Sequence, residues 1–567
     1  MQELKRTRAQ ESREAIERLY IAMRHLFIRG SYKPLGVSGE AMIEALQDLQ
    51  PEIYGSLNDP EKIELNGLFY VFERLPQGIE QCRYIRLISK EGYEHSGFTP
   101  IIPAKRRRNC YRIDEEQMFV EMTRGRSDIY DILTHLTFLY IEAEKIRRNG
   151  LNHRGEAKRE WNLLEEIVLN GEEKEESFDK NVAYTYLSTL LGRTYNDTID
   201  ACERFNKSPK VNSIFQITYW LGRLSMEEAK DKNDREITFS SALREKVGHH
   251  IYGELWAENI KRYLQDKDFL QRPIHIISAN LHSVRNMLYG MATLKGKRKD
   301  INLEQLTLEL SNEVDGPLQK KVAIYALKNG MHQIEDASGM NIAVQVFDTT
   351  QLKANTLPPE IIFDEAYVKK EKPVIIVMNY AFGEQAYETM DELLKPYEYD
   401  SQRFRLNVES ISIMGKAGIL EGEKGDIMIP DAHVLEGIAD NYPFENDFQA
   451  ADFEGHGLKV TSEGPMITVL GTSLQNRDVL RYFLKSSWRA IGLEMEGAHY
   501  QKAIQAASKI RNSISSNVVL RYAYYASDNP LESGNTLASG SLGADGVKPT
   551  YLITQKILNK ILSSLSS

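Results

Sequence analysis

Two stretches near the C-terminal end of the chain hold the residues best suited to chemistry. Arg489–Tyr500 runs R-A-I-G-L-E-M-E-G-A-H-Y and sets Glu494 and Glu496 on either side of Met495, where a short apolar run meets the small residues of a helix start. On an extended chain, alternation puts both carboxylates on one side and Met495 on the other. Val518–Pro530, V-V-L-R-Y-A-Y-Y-A-S-D-N-P, is a β-branched and aromatic run that ends on Ser527-Asp528 and turns at Asn529-Pro530. An acid at the carboxyl end of a buried strand lies where open α/β sheets place their ligands, and there it donates a proton or faces a developing positive charge. The plain alternative is a solvated rim for the glutamates and a turn cap for Asp528.

The elements that must position these acids begin at Arg272-Pro273, where the pattern of the chain changes. Ile274–Ile277 reads as a short strand running into a helix start at Ser278–Ser283, and free N–H groups at such a junction make an anion or ligand pocket. His282, Ser283 and Arg285 are its candidate ligand residues, for which the resemblance described below implies a phosphate or nucleophile-activating role; helix capping is the structural alternative. Asn341–Phe347 reads as a strand, and Pro373–Met378 as a buried parallel strand. Gly383 serves a tight turn after it. Val408–Met414 is a further strand, followed by Gly415-Lys416-Ala417-Gly418 and then Gly425-Asp426-Ile427; these small residues let a ligand approach main-chain N–H groups.

L-E-M-E-G-A, preceded by G-x-A-G and G-D-I and followed by a strand ending in S-D, resembles the purine nucleoside phosphorylase and nucleosidase superfamily over about 300 residues, and S-D-N-P-L (Ser527–Leu531) resembles its AMP nucleosidase branch. The resemblance implies a three-layer α/β/α domain with a mixed sheet, and active sites near subunit contacts of a homo-oligomer. It implies that Met495 and Glu496 hold a ribose, with Glu494 beside them, and that Asp528 protonates the departing purine. It implies that Gly415, Lys416, Ala417 and Gly418 lie under the sugar, that Leu474 lies over the base, and that Ser533–Gly546 forms a gate. The chain departs from the pattern in two places. The glycine and glutamate of the first strand–loop are missing, and Ile413 stands where the phosphorylases carry a phosphate-binding arginine. A buried phosphate without a fixed cation is costly. Lys416, a flexible point donor, is a weak substitute, with Arg285 and Arg477 as further anion ligands. Water is therefore the expected nucleophile, phosphate-dependent cleavage the second reading, and a non-catalytic nucleotide-sensing or scaffold protein the third. No cofactor or metal is required, and no motif for either is present.

The length of 567 residues calls for more than one domain. Residues 1–269 are expected to form a mainly α-helical domain of unassigned role, and residues 270–567 the catalytic one. Helical periodicity is clear at Ala15–Phe27 and Asp128–Ile146. Lys105-Arg106-Arg107-Arg108, with Arg112 after it, reads as a grip for a phosphate or an acidic partner, or as an exposed charged loop, and the acidic run after Leu169 as a solvated linker. The net charge of -10 argues against nucleic-acid partners. The three scattered cysteines, Cys82, Cys110 and Cys202, form no disulfide or metal pattern and suggest a reducing cytoplasm. Neither a secretory signal nor a bilayer-spanning run is read. The expected partner is a small-molecule purine nucleoside or nucleotide.

Overall fold

The structure is a computed structural model that describes residues 6–106, 108–170, 179–231, 233–294, 303–312, 316–532 and 543–564. The acidic run after Leu169, Arg107 and most of the expected gate lie outside the described residues. The chain forms two compact units, one of Met1–His249 with Ser473–Val479, the other of His250–Thr472 with Leu480–Ser567.

The first unit is mainly helical, and its longest helix is Gly125–Gly150. It also holds a five-stranded mixed sheet that helical periodicity does not reveal, with strands β1 (Ser31–Tyr32), β2 (Tyr84–Ile88), β3 (Cys110–Arg112), β4 (Gln117–Glu121) and β5 (Glu236–Phe239) in the order β1-β5-β2-β4-β3. These strands are short, and β1 pairs with β5 from the opposite end of the unit. The Ser473–Val479 segment is fastened here: Glu52 N donates to Gln475 O at 2.9 Å, and Asn476 Nδ2 to Leu49 O at 2.8 Å.

The second unit is a mixed α/β domain with helices on both faces of its sheet. Its strands are β6 (Ile274–Ser278), β7 (Met331–Ile334), β8 (Val344–Asp348), β9 (Val374–Met378), a small hairpin of β10 (Tyr397–Tyr399) and β11 (Gln402–Phe404), then β12 (Val408–Ile419), β13 (Ile427–Ile429), β14 (Ala432–Leu435), β15 (Asn441–Pro443), β16 (Val460–Ser462), β17 (Pro465–Thr468), β18 (Gly492–Glu494) and β19 (Val519–Asp528). All but the hairpin join one 12-stranded sheet, ordered β15-β14-β17-β18-β12-β6-β9-β8-β7, with β19 on the other edge of β12 and β13 and β16 beyond it. Strands β6 and β9 are buried along their whole length, as central strands covered on both faces must be. Alternate residues (Ile277, Ile375, Val377, Met414, Ala523 and Tyr525) pack on one face with the helices Leu281–Leu294, Pro317–Lys328 and Val547–Leu562. Towards the other face, Tyr500 and Gln501 of the Gly497–Gln505 helix bond Ser278 and Tyr522, at 3.0 and 2.8 Å.

That helix can pack so close only because it begins with glycine. A Cβ on Gly497 would stand 2.2 Å from the His433 ring and 2.8 Å from the Tyr524 hydroxyl, two buried groups already bonded to each other at 3.0 Å. Gly497→Ala is therefore expected to cost about 1–3 kcal/mol of stability, as overpacking does; urea unfolding measures it, and an unchanged midpoint would mean that the His433 ring yields freely.

Candidate active site

Strand β12 changes partners along one edge. Its first half pairs in parallel with β6 as far as Ile413 opposite Ser278, and its end pairs antiparallel with β18, Gly418 opposite Leu493 and Ile419 opposite Gly492. Between these ladders Met414–Ala417 have no strand neighbour on that edge. On the other edge β19 runs alongside from Ser410 onward. Gly415–Ala417 thus lie between the carboxyl end of β6 and the end of β18 on that edge. Gly415 has no side chain, and a Cβ there would meet Tyr380 at 3.7 Å.

Asp528 stands at the end of β19, re-aimed by a bulge: Ala417 pairs with Ala526, but Gly418 pairs with Asp528, leaving Ser527 as the extra residue. The Ser527 hydroxyl lies 2.6 Å from Asp528 Oδ1 and 3.1 Å from the Ala417 carbonyl. Asp528 is 8 % exposed, and its Oδ2 has no hydrogen-bond partner among the described residues. Burial pushes the Asp528 carboxyl up to about 6, against the Ser527 hydrogen bond and the charges of Lys416 and Lys424, which pull it down. With Oδ1 accepting from Ser527, the acid proton belongs on Oδ2. The arrangement is a carboxylic acid held partly protonated near neutrality with one oxygen left for a ligand.

The two glutamates around Met495 part company, because β18 ends at Glu494 and strand alternation does not continue to Glu496. Glu494 is buried, with both oxygens bonded inside the protein. Oε1 accepts from the Thr468 hydroxyl, and Oε2 from the N–H groups of Glu496 and Gly497. Thr468 in turn accepts from Ala498 N at 2.9 Å, so Thr468 and Glu494 together cap the Gly497–Gln505 helix. Burial raises the Glu494 carboxyl against these bonds. Glu496 is half-buried and accepts the Gly383 N–H at 2.9 Å, across from the turn that Gly383 makes at φ 55°. Met495 is buried beside it.

The loop after β6 is closed by Asn280, whose side chain accepts from the N–H groups of His282 and Ser283 at 3.1 and 2.8 Å. Ser283 is buried, its hydroxyl directed at the Asn280 carbonyl. Arg285 donates to Gln319 at 2.6 Å and to His282 Nδ1 at 3.2 Å. A guanidinium only donates, so the neutral His282 ring carries its proton on Nε2 and is a donor there, not a base. Asn280, His282, Gln319, Lys416, Tyr525 and Thr550 line a cavity of about 330 Å³. Ile413 is buried in the sheet, and the exposed Lys416 is the cation of the glycine stretch. Leu474 is buried and Arg477 lies 3.6 Å from Glu52, both in the first unit. The fold thus gathers Asp528, Ser527, Gly415–Gly418 and Met495-Glu496 around β12. Thr468 and Asn280 went unrecognised in the sequence; a lone polar residue closing an apolar strand was their only signal.

Among the described residues no cluster of His, Cys, Asp or Glu is arranged to hold a metal ion, and no helix is long and apolar enough to cross a membrane. The protein-family model described as "Family of unknown function (DUF6909)" matches residues 40–301 and 309–563. No curated protein matches the chain. Solved structures that are similar to part of it include the 5'-methylthioadenosine/S-adenosyl homocysteine nucleosidase of Campylobacter jejuni, at 12% identity, TM-score 0.28, and 51% of this chain and 97% of that one. A futalosine hydrolase mutant of Helicobacter pylori strain 26695 gives 12%, 0.28, 51% and 98%. The uridine phosphorylase of Schistosoma mansoni in complex with thymidine gives 10%, 0.30, 53% and 91%.

The raised pKa of Asp528 is also a stability statement. The folded protein holds this proton up to about 6, an ordinary aspartate only to 3.8, so wild type loses stability as pH rises through that window. Asp528→Asn escapes the loss. The variant is expected to be more stable than wild type at pH 8 by about 1–3 kcal/mol, with the difference gone at about pH 3; denaturant unfolding at both values tests this, and a less stable variant at pH 8 would refute the assignment.

Proposed function

We propose, for a chain that belongs to the DUF6909 family, that the second unit cleaves the N-glycosidic bond of a purine nucleoside or nucleotide, with water as the nucleophile in the manner of an AMP nucleosidase. One observation carries the reading: Asp528, buried and raised to about 6, keeps Oδ2 without a hydrogen-bond partner among the described residues, at the end of the strand paired with Gly415–Gly418. Cleaving this bond builds negative charge on the departing purine and positive charge on the ribose. Asp528 meets the first need by giving its Oδ2 proton to a ring nitrogen, general acid catalysis worth about 10²–10⁴-fold. Glu496 meets the second, as a carboxylate that hydrogen-bonds ribose hydroxyls and favours the cationic sugar. Met495 supplies apolar contact to the sugar, and Glu494 holds the helix start that fixes Glu496.

Burial of Ile413, where an arginine would anchor phosphate, favours water over phosphate. Lys416 beside the donor-lined cavity supports the phosphate-dependent reading, and the same experiment separates the two. Base release is measured from AMP, adenosine and inosine, each with and without inorganic phosphate. Phosphate-independent release is expected, with kcat/KM falling as pH rises through about 6 as Asp528 loses its proton. Asp528→Asn is expected to lower kcat by about 10²–10⁴-fold. Ser527→Ala, which removes a bond that lowers the Asp528 carboxyl, is expected to move the falling limb to higher pH. Release only with phosphate makes the enzyme a phosphorylase. Release unaffected by Asp528→Asn, or none from any substrate, overturns the proposal.

A further inference from the structure

Tyr380, on the turn after β9, has a divided environment. The residue is 39 % exposed, yet burial raises its phenol well above the ordinary tyrosine range, so the exposed surface lies elsewhere than at the hydroxyl. Asn280 meets that hydroxyl with its main-chain N–H and its side-chain amide, and Tyr525 stands beside it. The Asn280 side chain has only its NH2 to give, because its oxygen already accepts from the N–H groups of His282 and Ser283. The phenol oxygen is therefore the acceptor of both Asn280 groups.

The other end of the contact is β12. A Cβ on Gly415 would come within 3.7 Å of Tyr380 Cε1. In the sheet β9 pairs with β6 and β6 with β12, so the side chain crosses the carboxyl end of β6 to reach Gly415. The turn that carries it is pinned. Tyr380 N donates to Asn379 Oδ1 and Gly383 N to Glu496 Oε1, both at 2.9 Å. The Tyr500 hydroxyl, 3.0 Å from that of Ser278, meets the Ala381 N–H.

A strand that runs into a helix start presents N–H groups suited to an anion, and in this unit β6 runs through Asn280 into the Leu281–Leu294 helix. The phenol oxygen takes up the Asn280 donors there, and the ring reaches from them to Gly415. Asn280 and Tyr525 also line the cavity of about 330 Å³ with Lys416, so the tyrosine borders both that donor-lined space and the main chain of β12.

We propose that Tyr380 determines the nucleophile: its side chain occupies the place between Asn280 and Gly415 that a phosphate ion would take, and leaves room there for water but not for phosphate. This rests on the bond cleavage proposed above. In that reaction the oxygen of the nucleophile bonds to C1′ as the C1′–N bond breaks, the electron pair of that bond leaves with the purine, and Asp528 protonates the purine. An attacking water also releases a proton to solvent, whereas phosphate would form ribose 1-phosphate. A phosphate ion needs several donors around its oxygens. A phenol held at Asn280 removes both donors and volume.

Base release from adenosine and calorimetric binding of inorganic phosphate test this on the full chain, wild type beside Tyr380→Ala, Tyr380→Ser and Tyr380→Phe. Wild type and Tyr380→Phe, which keeps the ring, are expected to bind no phosphate and to release base at a rate that phosphate does not change. The two small variants are expected to bind phosphate with a Kd of about 1–10 mM, to release base ~10-fold faster when it is present, and to form ribose 1-phosphate. Wild-type release that requires phosphate overturns this proposal together with the choice of water. Phosphate-independent wild-type release with no phosphate response in either small variant overturns this proposal alone, as does a response in Tyr380→Phe equal to theirs. If no form releases base, phosphate binding by the small variants and not by wild type still upholds the occupied site, and equal binding by all four overturns it.

Discussion

The second unit depends on one exchange of hydrogen-bond partners. β12 cannot keep β6 along its whole edge, because β6 ends at Ser278 while β12 continues to Ile419. β18 takes the vacated edge from the opposite direction. Neither ladder covers Met414–Ala417, and an uncovered length of strand in the middle of a sheet is tolerable only where something other than strand meets it. Lys416 of this stretch and Asn280 and His282 of the loop after β6 line one cavity, while β19 runs along the opposite edge of β12.

Three carboxylates near that opening have different fates, set by what each accepts. Glu494 accepts from three protein donors and holds a helix start in place. Glu496 accepts the Gly383 N–H and is half-buried. Asp528 has one oxygen engaged and the other without a hydrogen-bond partner among the described residues, and burial raises its carboxyl to about 6. Burial raises both the Glu494 and the Asp528 carboxyl, so β18 and β19 each end on an acid whose burial lowers the stability of the fold as its proton is lost.

The sequence was most readable where the signal is local. L-E-M-E-G-A marks a strand end and helix start because small residues follow an apolar run, and the aromatic strand before Ser527-Asp528 announces itself by composition. The bulge at Ser527 was not readable, since it depends on the register against Ala417 and Gly418, more than a hundred residues away. Glu494 and Glu496 read as equals because alternation assumes a strand that in fact stops between them. The sheet of the first unit was hidden for a related reason: its strands are too short to show a period, and Ser31–Tyr32 finds its partner only at Ile237–Thr238. The pairing of the basic run was not readable because its counter-charges, Asp128 and Asp131, lie further along the chain and are buried on the Gly125–Gly150 helix.

The bared edge of β12 also bears on how such a protein changes over time. A ligand laid along Met414–Ala417 meets carbonyls and amides that every residue type supplies, so recognition there is insulated from most substitutions, provided the glycines keep the approach clear. Side chains around the opening, such as Ile413 and Lys416, can then differ without dismantling the main-chain path. Inheritance of the scaffold and divergence of its chemistry are in this way separated between main chain and side chain.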